Sequence, residues 1–376
     1  SVLRFDYTGT GDSEADEFAG DIVAKWSDDI VAAANFLSDA CGTEVRQVLG
    51  VRTGALLAAT RAGELAPADG LILWDPVPSG KRFIRELRAN ERLAYFRCEP
   101  DLLESVGFPY PESMLEGLDK LDIVASLADF DAPIVVFARD NAPVPATISK
   151  IGAGKSAFEL FQVEGLVEML VEPHHAVIPW DAIGQAVAWG SSRLQPDEAA
   201  SQKTVADTSN EIVFEGADDG IVETVLRISE TGSSGILCRA KDAVAGEQPI
   251  VLFGNAGSIY HIGPNRLYVT LARRLAREGY TSFRYDLPNI GDGLQAPHPE
   301  ANFAYPNDAV ACITEVIEFA RDGLGYPSVI LTGVCSGATQ AFLAALAQKP
   351  SAALIETAMV NPKVFYVEDI ARYGGS

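Results

Sequence analysis

The stretch VILTGVCSGATQAFLAALA, residues 329–347, joins an apolar run to an alanine-rich run through the pentapeptide GVCSG. Branched and apolar residues favour a strand in the first run, and alanine favours a helix in the second. A strand that turns sharply through glycine-x-nucleophile-x-glycine into a helix exposes the side chain at the middle of the turn. The pattern therefore predicts an α/β fold, with Cys335 at the end of a parallel strand.

Cys335 lies where a reactive thiolate is favoured, because the N-terminus of a helix attracts negative charge. The backbone N–H of Ser336 is expected to point to the place where an oxyanion forms. A second donor is expected from the loop FGNAGS, residues 253–258, which follows the third strand expected in this part of the chain. The amide of Ala256 or Gly257 is the candidate. Two alternatives stay open: Cys335 as a small buried apolar residue, and Ser336 as a nucleophile one position out of register.

A second copy of the pattern occurs near the start of the chain. VLRFDYTGTGDS at 2–13 matches SFRYDLPNIGDG at 282–293, and LGVRTGALLAA matches TGVCSGATQAF roughly forty residues further on in each copy. The matches predict a tandem duplication, with equivalent strands at the start of each matched segment. In the first copy the central residue is Arg52, whose guanidinium stays protonated and cannot attack a carbonyl.

The two copies cover different parts of the repeat. Residues 1–193 form the later part of a first repeat, with strands in DGLILWDP (69–76) and APIVVFARD (132–140) and a lid expected over 77–129. Residues 194–210 have linker composition, and 211–376 form the earlier part of a second repeat. If the repeats are equal, about seventy residues precede Ser1 and about a hundred follow Ser376.

The strand–GxCxG–helix, the FGNAG loop and the RYDLPNIGDG turn resemble the α/β-hydrolase superfamily. The branch they resemble is that of the serine aminopeptidase and lysophospholipase-like hydrolases, including the exosortase-associated hydrolases. The resemblance covers nearly the whole chain, twice. It implies two tandem, incomplete units with mostly parallel, doubly wound sheets. It also implies a nucleophile, an acid and a histidine in that order, with cysteine as nucleophile in some members such as dienelactone hydrolase.

The resemblance assigns the nucleophile to Cys335 and puts the acid and histidine of the second copy beyond Ser376. In the first copy, Asp140 follows the apolar strand where the family places its acid. His174 or His175 precedes the last helix where the family places its histidine, and His175 fits the spacing slightly better. Three roles are open for Arg52. It pairs with Asp140, it binds a carboxylate or phosphate at the elbow, or it has no functional role and points outward or pairs structurally.

His261, in SIYHIGPNR, belongs to the loop that is expected to rim the second site. Binding of a polar end of the substrate and simple packing of the following helix are both open for it. The Asp and Gly residues of RYDLPNIGDG predict a turn after the fourth strand, without chemistry of their own.

The composition excludes some functional classes. A net charge of −23, from 52 acidic and 29 basic residues, argues against nucleic acid as a partner. Five cysteines at scattered spacings indicate a reducing, cytoplasmic setting without a disulfide framework. No apolar run is long enough to span a membrane. No cofactor and no metal is expected.

Three functional hypotheses follow. The first is a hydrolase or acyltransferase that acts on a small-molecule ester or thioester through Cys335, with the first repeat as a pseudoenzyme domain. The second is a non-catalytic binding or scaffold protein. The third is one site assembled from Cys335 of the second copy with Asp140 and His175 of the first.

Overall fold

The structure is a computed structural model that describes residues 1–15, 20–93, 102–105, 108–194, 209–215, 219–228, 232–294, 302–347 and 353–362. The chain divides into two compact units. The first comprises Ser1–Val171 and Ala176–Thr208, and the second comprises Glu172–His175 and Ser209–Ser376. Each unit is a mixed α/β structure around a sheet with parallel strands.

The first unit alternates helices and strands along the chain. Its helices are α1 Ile22–Cys41, α2 Thr53–Leu65, α3 Gly80–Leu93, α4 Glu112–Asp119, α5 Ile123–Ser126, α6 Ala146–Ile151 and α7 Trp180–Ser191. Its strands are β1 Val48–Val51, β2 Leu71–Trp74, β3 Leu103–Ser105, β4 Phe108–Tyr110, β5 Ile134–Arg139 and β6 Phe158–Val163, and a 3-10 turn lies at Glu168–Leu170. The segment expected to be a lid thus contains α3, the β3–β4 hairpin, α4 and α5.

Strands β1, β2, β5 and β6 form a parallel sheet in that order, with helices on both faces. Leu73 and Val136 pack with α2, α5 and α6 on one face. Trp74 and Phe137, their neighbours in sequence, pack with α7 on the other. Because successive strand residues point to opposite faces, both faces of these strands are apolar and buried.

The strand expected at the start of the first unit is not formed, and this prediction is wrong. Residues 1–7 have no regular secondary structure. The equivalent strand of the second unit lies between two neighbours that satisfy its backbone N–H and C=O groups. The described part of the first unit places no strand beside residues 2–6, so these groups have no ladder to join.

The second unit is built on a larger mixed sheet. Its strands are β7 Glu211–Val213, β8 Ile221–Arg227, β9 Ser234–Ala240, β10 Ile250–Gly254, β11 Ser282–Asp286, β12 Val329–Val334 and β13 Leu354–Val360. Its helices are α8 Leu267–Arg277, α9 Ala309–Glu318 and α10 Ser336–Ala347. A π-helical turn, Phe319–Gly323, follows α9, and 3-10 turns lie at Pro173–His175 and Pro264–Arg266.

The strand order in this sheet is β13-β12-β10-β11-β9-β8-β7. The strands from β13 to β11 are parallel, and the pairings from β11 to β7 are antiparallel. Leu252 packs in the cluster with α9 and α10, whereas Phe253 packs with α8, so helices cover both faces. In neither unit does a described helix combine the length and apolarity needed to cross a membrane.

Each unit contains a turn that begins and ends at an aspartate, with a glycine before the second one, and we call it the Asp–Gly–Asp turn. The turns cover residues 6–12 and 286–292, and the same hydrogen bond closes both of them. The N–H of Asp12 donates to Oδ2 of Asp6 at 3.0 Å, and the N–H of Asp292 donates to Oδ2 of Asp286 at 3.0 Å. In each turn the glycine before the second aspartate has φ near +50°, at 52° and 53°. The turn therefore forms from local sequence even where the preceding strand is missing.

Gly50 is expected to be indispensable for the first unit. A Cβ at this position would lie 2.5 Å from Cα of Ala55, so Gly50→Ala forces β1 and α2 apart. We expect a loss of about 1–3 kcal/mol of unfolding free energy, measured by urea denaturation.

The matched control is Gly63→Ala, because nothing lies within 4 Å of a Cβ placed at this position in α2. Alanine favours the helix there, and a gain of about 0.5–1 kcal/mol is expected. Equal effects of the two substitutions would contradict the close approach at Gly50.

Candidate active site

Cys335 occupies a tight elbow between β12 and α10. Its φ is +56°, a region that non-glycine residues rarely adopt, and its side chain is partly exposed. Its N–H donates to the carbonyl of Val360 at 3.0 Å, which fixes the turn against β13. A Cβ on Gly333 would lie 2.6 Å from the carbonyl oxygen of Gly337. The two glycines therefore allow the strand and the helix to approach closely.

The loop after β10 contacts this elbow directly. The N–H of Gly257 donates to Oγ of Ser336 at 2.7 Å, and Ser336 is only 1% exposed. A Cβ on Gly337 would lie 2.4 Å from the carbonyl oxygen of Asn255. The structure thus brings Cys335 and Ser336 together with the loop that contains Ala256 and Gly257.

Asp286, at the end of β11, holds the same loop from its other side. Its carboxylate is fully buried and accepts hydrogen bonds from Nδ2 of Asn255 at 2.7 Å and from the N–H of Asp292 at 3.0 Å. Its Oδ2 also lies 2.7 Å from Nδ1 of the buried His261. His261 therefore faces Asp286 through this nitrogen.

Within the described residues, one cluster of side chains has the spacing needed to hold a metal ion, and it includes Asp286 and His261. Ligand atoms of His261, Asp286 and Asp292 lie within 4.8 Å of one another. Both carboxylate oxygens of Asp286 and Nδ1 of His261 are already engaged in hydrogen bonds. Hydrogen bonding within the loop accounts for the grouping without an ion.

Two tyrosines lie near the thiol. The hydroxyl of Tyr268 accepts a hydrogen bond from the N–H of Val334 at 3.1 Å, and the ring is buried against Phe253. Burial raises the pKa of Tyr268 to about 12, with a smaller contribution from the nearby Cys335. Burial and the nearby Cys335 raise the pKa of Tyr305. Both phenols therefore stay protonated at neutral pH.

The elbow of the first unit has the same backbone and different chemistry. Arg52 has φ +53°, and its N–H donates to the carbonyl of Trp74 at 2.9 Å, as Cys335 does to Val360. Its guanidinium binds Oδ2 of Asp75 at 3.1 Å and Oε2 of Glu86 at 2.6 Å. Asp75 also accepts two hydrogen bonds from Arg139, at 2.7 and 2.9 Å.

The expected pair between Arg52 and Asp140 is not formed, and that alternative is wrong. Asp140 is exposed just beyond the end of β5, whereas Asp75 follows β2, the strand directly beside β1. Asp75 is thus nearer to Arg52 in the sheet. Arg52 pairs structurally with Asp75 and Glu86, which is one of the alternatives that the sequence left open.

The candidate histidines of the first copy lie in the turn Pro173–His175, which groups with the second unit. His175 is exposed. The side chain of His174 lies outside the described part of the chain.

Sequence reasoning missed Asp75, Glu86 and Asp286 as parts of these sites. A signal existed for Asp75, since WDP after β2 and VNP after β13 occupy matching places in the repeats. Asp75 and Asn361 both have positive φ, at 41° and 49°. Glu86 carries no such signal, because its role depends on where α3 packs.

No protein-family model and no curated protein matches the chain. Among solved structures, the chain is similar to brefeldin A esterase, a bacterial homologue of human hormone-sensitive lipase, at 18% identity and TM-score 0.25. That match covers 38% of this chain and 36% of the esterase.

An α/β hydrolase from Penicillium sp. sh18 matches at 15% identity and TM-score 0.28, over 40% of this chain and 45% of that protein. A putative dienelactone hydrolase from Klebsiella pneumoniae matches at 25% identity and TM-score 0.29, over 37% and 59%. In all three cases the matched part spans less than two thirds of the other protein. Because these TM-scores are below 0.5, any functional conclusion depends on the elbow geometry.

Replacing Arg52 by Met is expected to destabilise the first unit by about 1–2 kcal/mol. The change keeps an unbranched side chain of about the length of arginine's aliphatic part and removes the charged hydrogen bonds to Asp75 and Glu86, both of them partly shielded from water. Urea unfolding measures the difference.

Arg82→Met is the control, because Arg82 is 54% exposed and lies 3.5 Å from Glu86. An exposed pair of this kind contributes about 0–1 kcal/mol. If both substitutions cost the same, the ion pairs of Arg52 have no special structural role.

Proposed function

We propose that the second unit is an acyl-transfer site of the α/β-hydrolase kind, with Cys335 as nucleophile and an ester or thioester as substrate. The observation that carries the proposal is the elbow itself: a partly exposed cysteine at φ +56° between a parallel strand and a helix N-terminus. Such an elbow presents a nucleophile above the ends of the strands. We also propose that the chain is related to the serine aminopeptidase and lysophospholipase-like branch of that superfamily.

The reaction begins with attack of the Cys335 thiolate on the carbonyl carbon. A sulfur–carbon bond forms, and the carbonyl π electrons move to oxygen. The N–H of Ser336 and an amide of the FGNAGS loop are the proposed donors to this oxyanion. Its collapse breaks the bond to the leaving group and leaves an acyl-thioester on Cys335. Transfer of the acyl group to water or another acceptor completes the cycle.

The first unit is proposed as a non-catalytic counterpart produced by tandem duplication. Three features support this: similar φ angles at Arg52 and Cys335 (53° and 56°), equivalent hydrogen bonds from their N–H groups, and similar Asp–Gly–Asp turns. At the first elbow the nucleophile position is occupied by a guanidinium bound to two carboxylates. This arrangement offers no nucleophile.

Two reagents test the proposal on the full chain carrying Cys41→Ser and Cys98→Ser. Iodoacetamide reports an accessible thiolate, and p-nitrophenyl acetate reports acylation with release of p-nitrophenolate. Cys238 and Cys312 are buried; burial raises the pKa of both thiols, that of Cys312 to about 11. Both therefore stay protonated and slow at neutral pH.

Both reagents are expected to modify Cys335, as located by peptide mass mapping. Cys335→Ala is expected to abolish the burst of p-nitrophenolate, and Cys312→Ser, the control at a buried cysteine, is expected to leave it unchanged. Alkylation of Cys335 without acylation would favour the binding or scaffold function instead. An inert Cys335 would do the same.

Arg52→Ser is expected to leave the first unit inactive toward p-nitrophenyl acetate in a chain that also carries Cys335→Ala. Asp75, which binds Arg52, is also bound by Arg139, and Asp140 is exposed just beyond the end of β5. A burst of p-nitrophenolate that depends on the new serine would contradict this expectation and would show that the first unit still holds groups able to activate a nucleophile.

A further inference from the structure

We infer that Ser336, Asn255 and Asp286 are positioning residues, which hold the FGNAGS loop against the elbow so that the loop can supply the second oxyanion donor. The inference rests on the proposed function of Cys335. It assigns a role to three buried polar side chains that the chemistry of the thiol does not use.

The first step concerns the end of the loop next to the elbow. Oγ of Ser336 accepts the N–H of Gly257 at 2.7 Å, so this amide is directed at the serine. The hydrogen bond engages the only proton of that amide and makes it a poor donor to a substrate oxygen. Ala256, the neighbouring residue, pairs with Ile259 in an antiparallel bridge, so the loop is held at this residue as well.

The second step concerns Asn255, which precedes Ala256. Its Nδ2 donates to Oδ1 of Asp286 at 2.7 Å and to the carbonyl of Ile259 at 3.0 Å. Its Oδ1 accepts the N–H of Leu287 at 2.9 Å. The side chain thus engages both amide protons and its oxygen, and it joins the loop to the end of β11.

The third step concerns Asp286 as the anchor of this arrangement. Its carboxylate is 0% exposed and contacts Asn255, His261 and the N–H of Asp292. A buried carboxylate with several donors strongly restricts the groups around it, since each would otherwise lose a charged hydrogen bond. Ala256 lies between Asn255 and Gly257, and both of these neighbours are fixed before substrate arrives.

This preorganisation affects one kind of reaction at Cys335 and not another. Acylation by p-nitrophenyl acetate passes through a tetrahedral oxyanion, which needs the loop amide. Alkylation by iodoacetamide displaces iodide at a saturated carbon and forms no oxyanion. The ratio of the two rate constants therefore measures the oxyanion donors separately from the reactivity of the thiol.

Ser336→Ala in the full chain is expected to slow acylation of Cys335 about tenfold or more, because the released loop no longer presents its amide. Alkylation is expected to change by less than about twofold, since the thiol and the helix N-terminus are unchanged. Asn255→Ala is expected to shift the ratio in the same direction.

The chain offers two matched controls. Ser282 is also fully buried in the second unit, and within the described residues its hydroxyl has no hydrogen-bond partner, so Ser282→Ala is expected to leave the ratio unchanged. Thr53 follows Arg52 as Ser336 follows Cys335, so threonine occupies this position in the first elbow. Ser336→Thr keeps the hydroxyl and is expected to retain most of the acylation rate.

The inference is overturned if Ser336→Ala leaves acylation unchanged, or if it slows alkylation and acylation equally. The second result would indicate a general structural defect at the elbow. Failure of the proposed function gives a different result, because wild-type Cys335 would then be alkylated without being acylated, or would not react at all.

Discussion

The close approach of a strand and a helix at each elbow is the constraint on which the rest of the structure depends. Gly333 has no room for a Cβ against the first turn of α10, and Gly50 has none against α2. The chain reverses within one residue, and that residue must take a positive φ whatever its side chain, as Arg52 and Cys335 both do. The backbone cost of the turn is similar for both residues, and chemistry is proposed for only one of them.

The two elbows show how one backbone supports different side-chain environments. Around Cys335 lie the FGNAGS loop and the protonated phenols of Tyr268 and Tyr305, which carry no charge. At Arg52 the neighbours are Asp75 and Glu86, which already neutralise the guanidinium. The ion-paired side chains of Arg52, Asp75 and Glu86 thus lie at the elbow of the first unit, whereas a substrate is proposed to bind at the elbow of the second.

The sequence predicted those parts of the structure that depend on short segments. The strand, elbow and helix around Cys335 follow from residues 329–347, and the Asp–Gly–Asp turns follow from six or seven residues each. The strand over residues 2–6 failed because a strand needs partners, and partners are a property of the whole sheet. The pairing of Arg52 with Asp75 was missed for the same reason, because adjacency of β1 and β2 decides it. Glu86 depends on the packing of a helix, which no local motif reports.

The bridge from Arg52 to Glu86 joins β1 to a helix that begins 28 positions later, at Gly80. If helix α3 detaches from the rest of the first unit, the guanidinium of Arg52 loses the carboxylate of Glu86. We expect local opening of α3 to weaken the hold on the Arg52 side chain, which then keeps only Asp75 as a carboxylate partner. Amide hydrogen exchange in α3 would then follow the integrity of the turn at Arg52, although the two are distant in sequence. Arg52 thus links the turn after β1 to a helix that is distant in sequence.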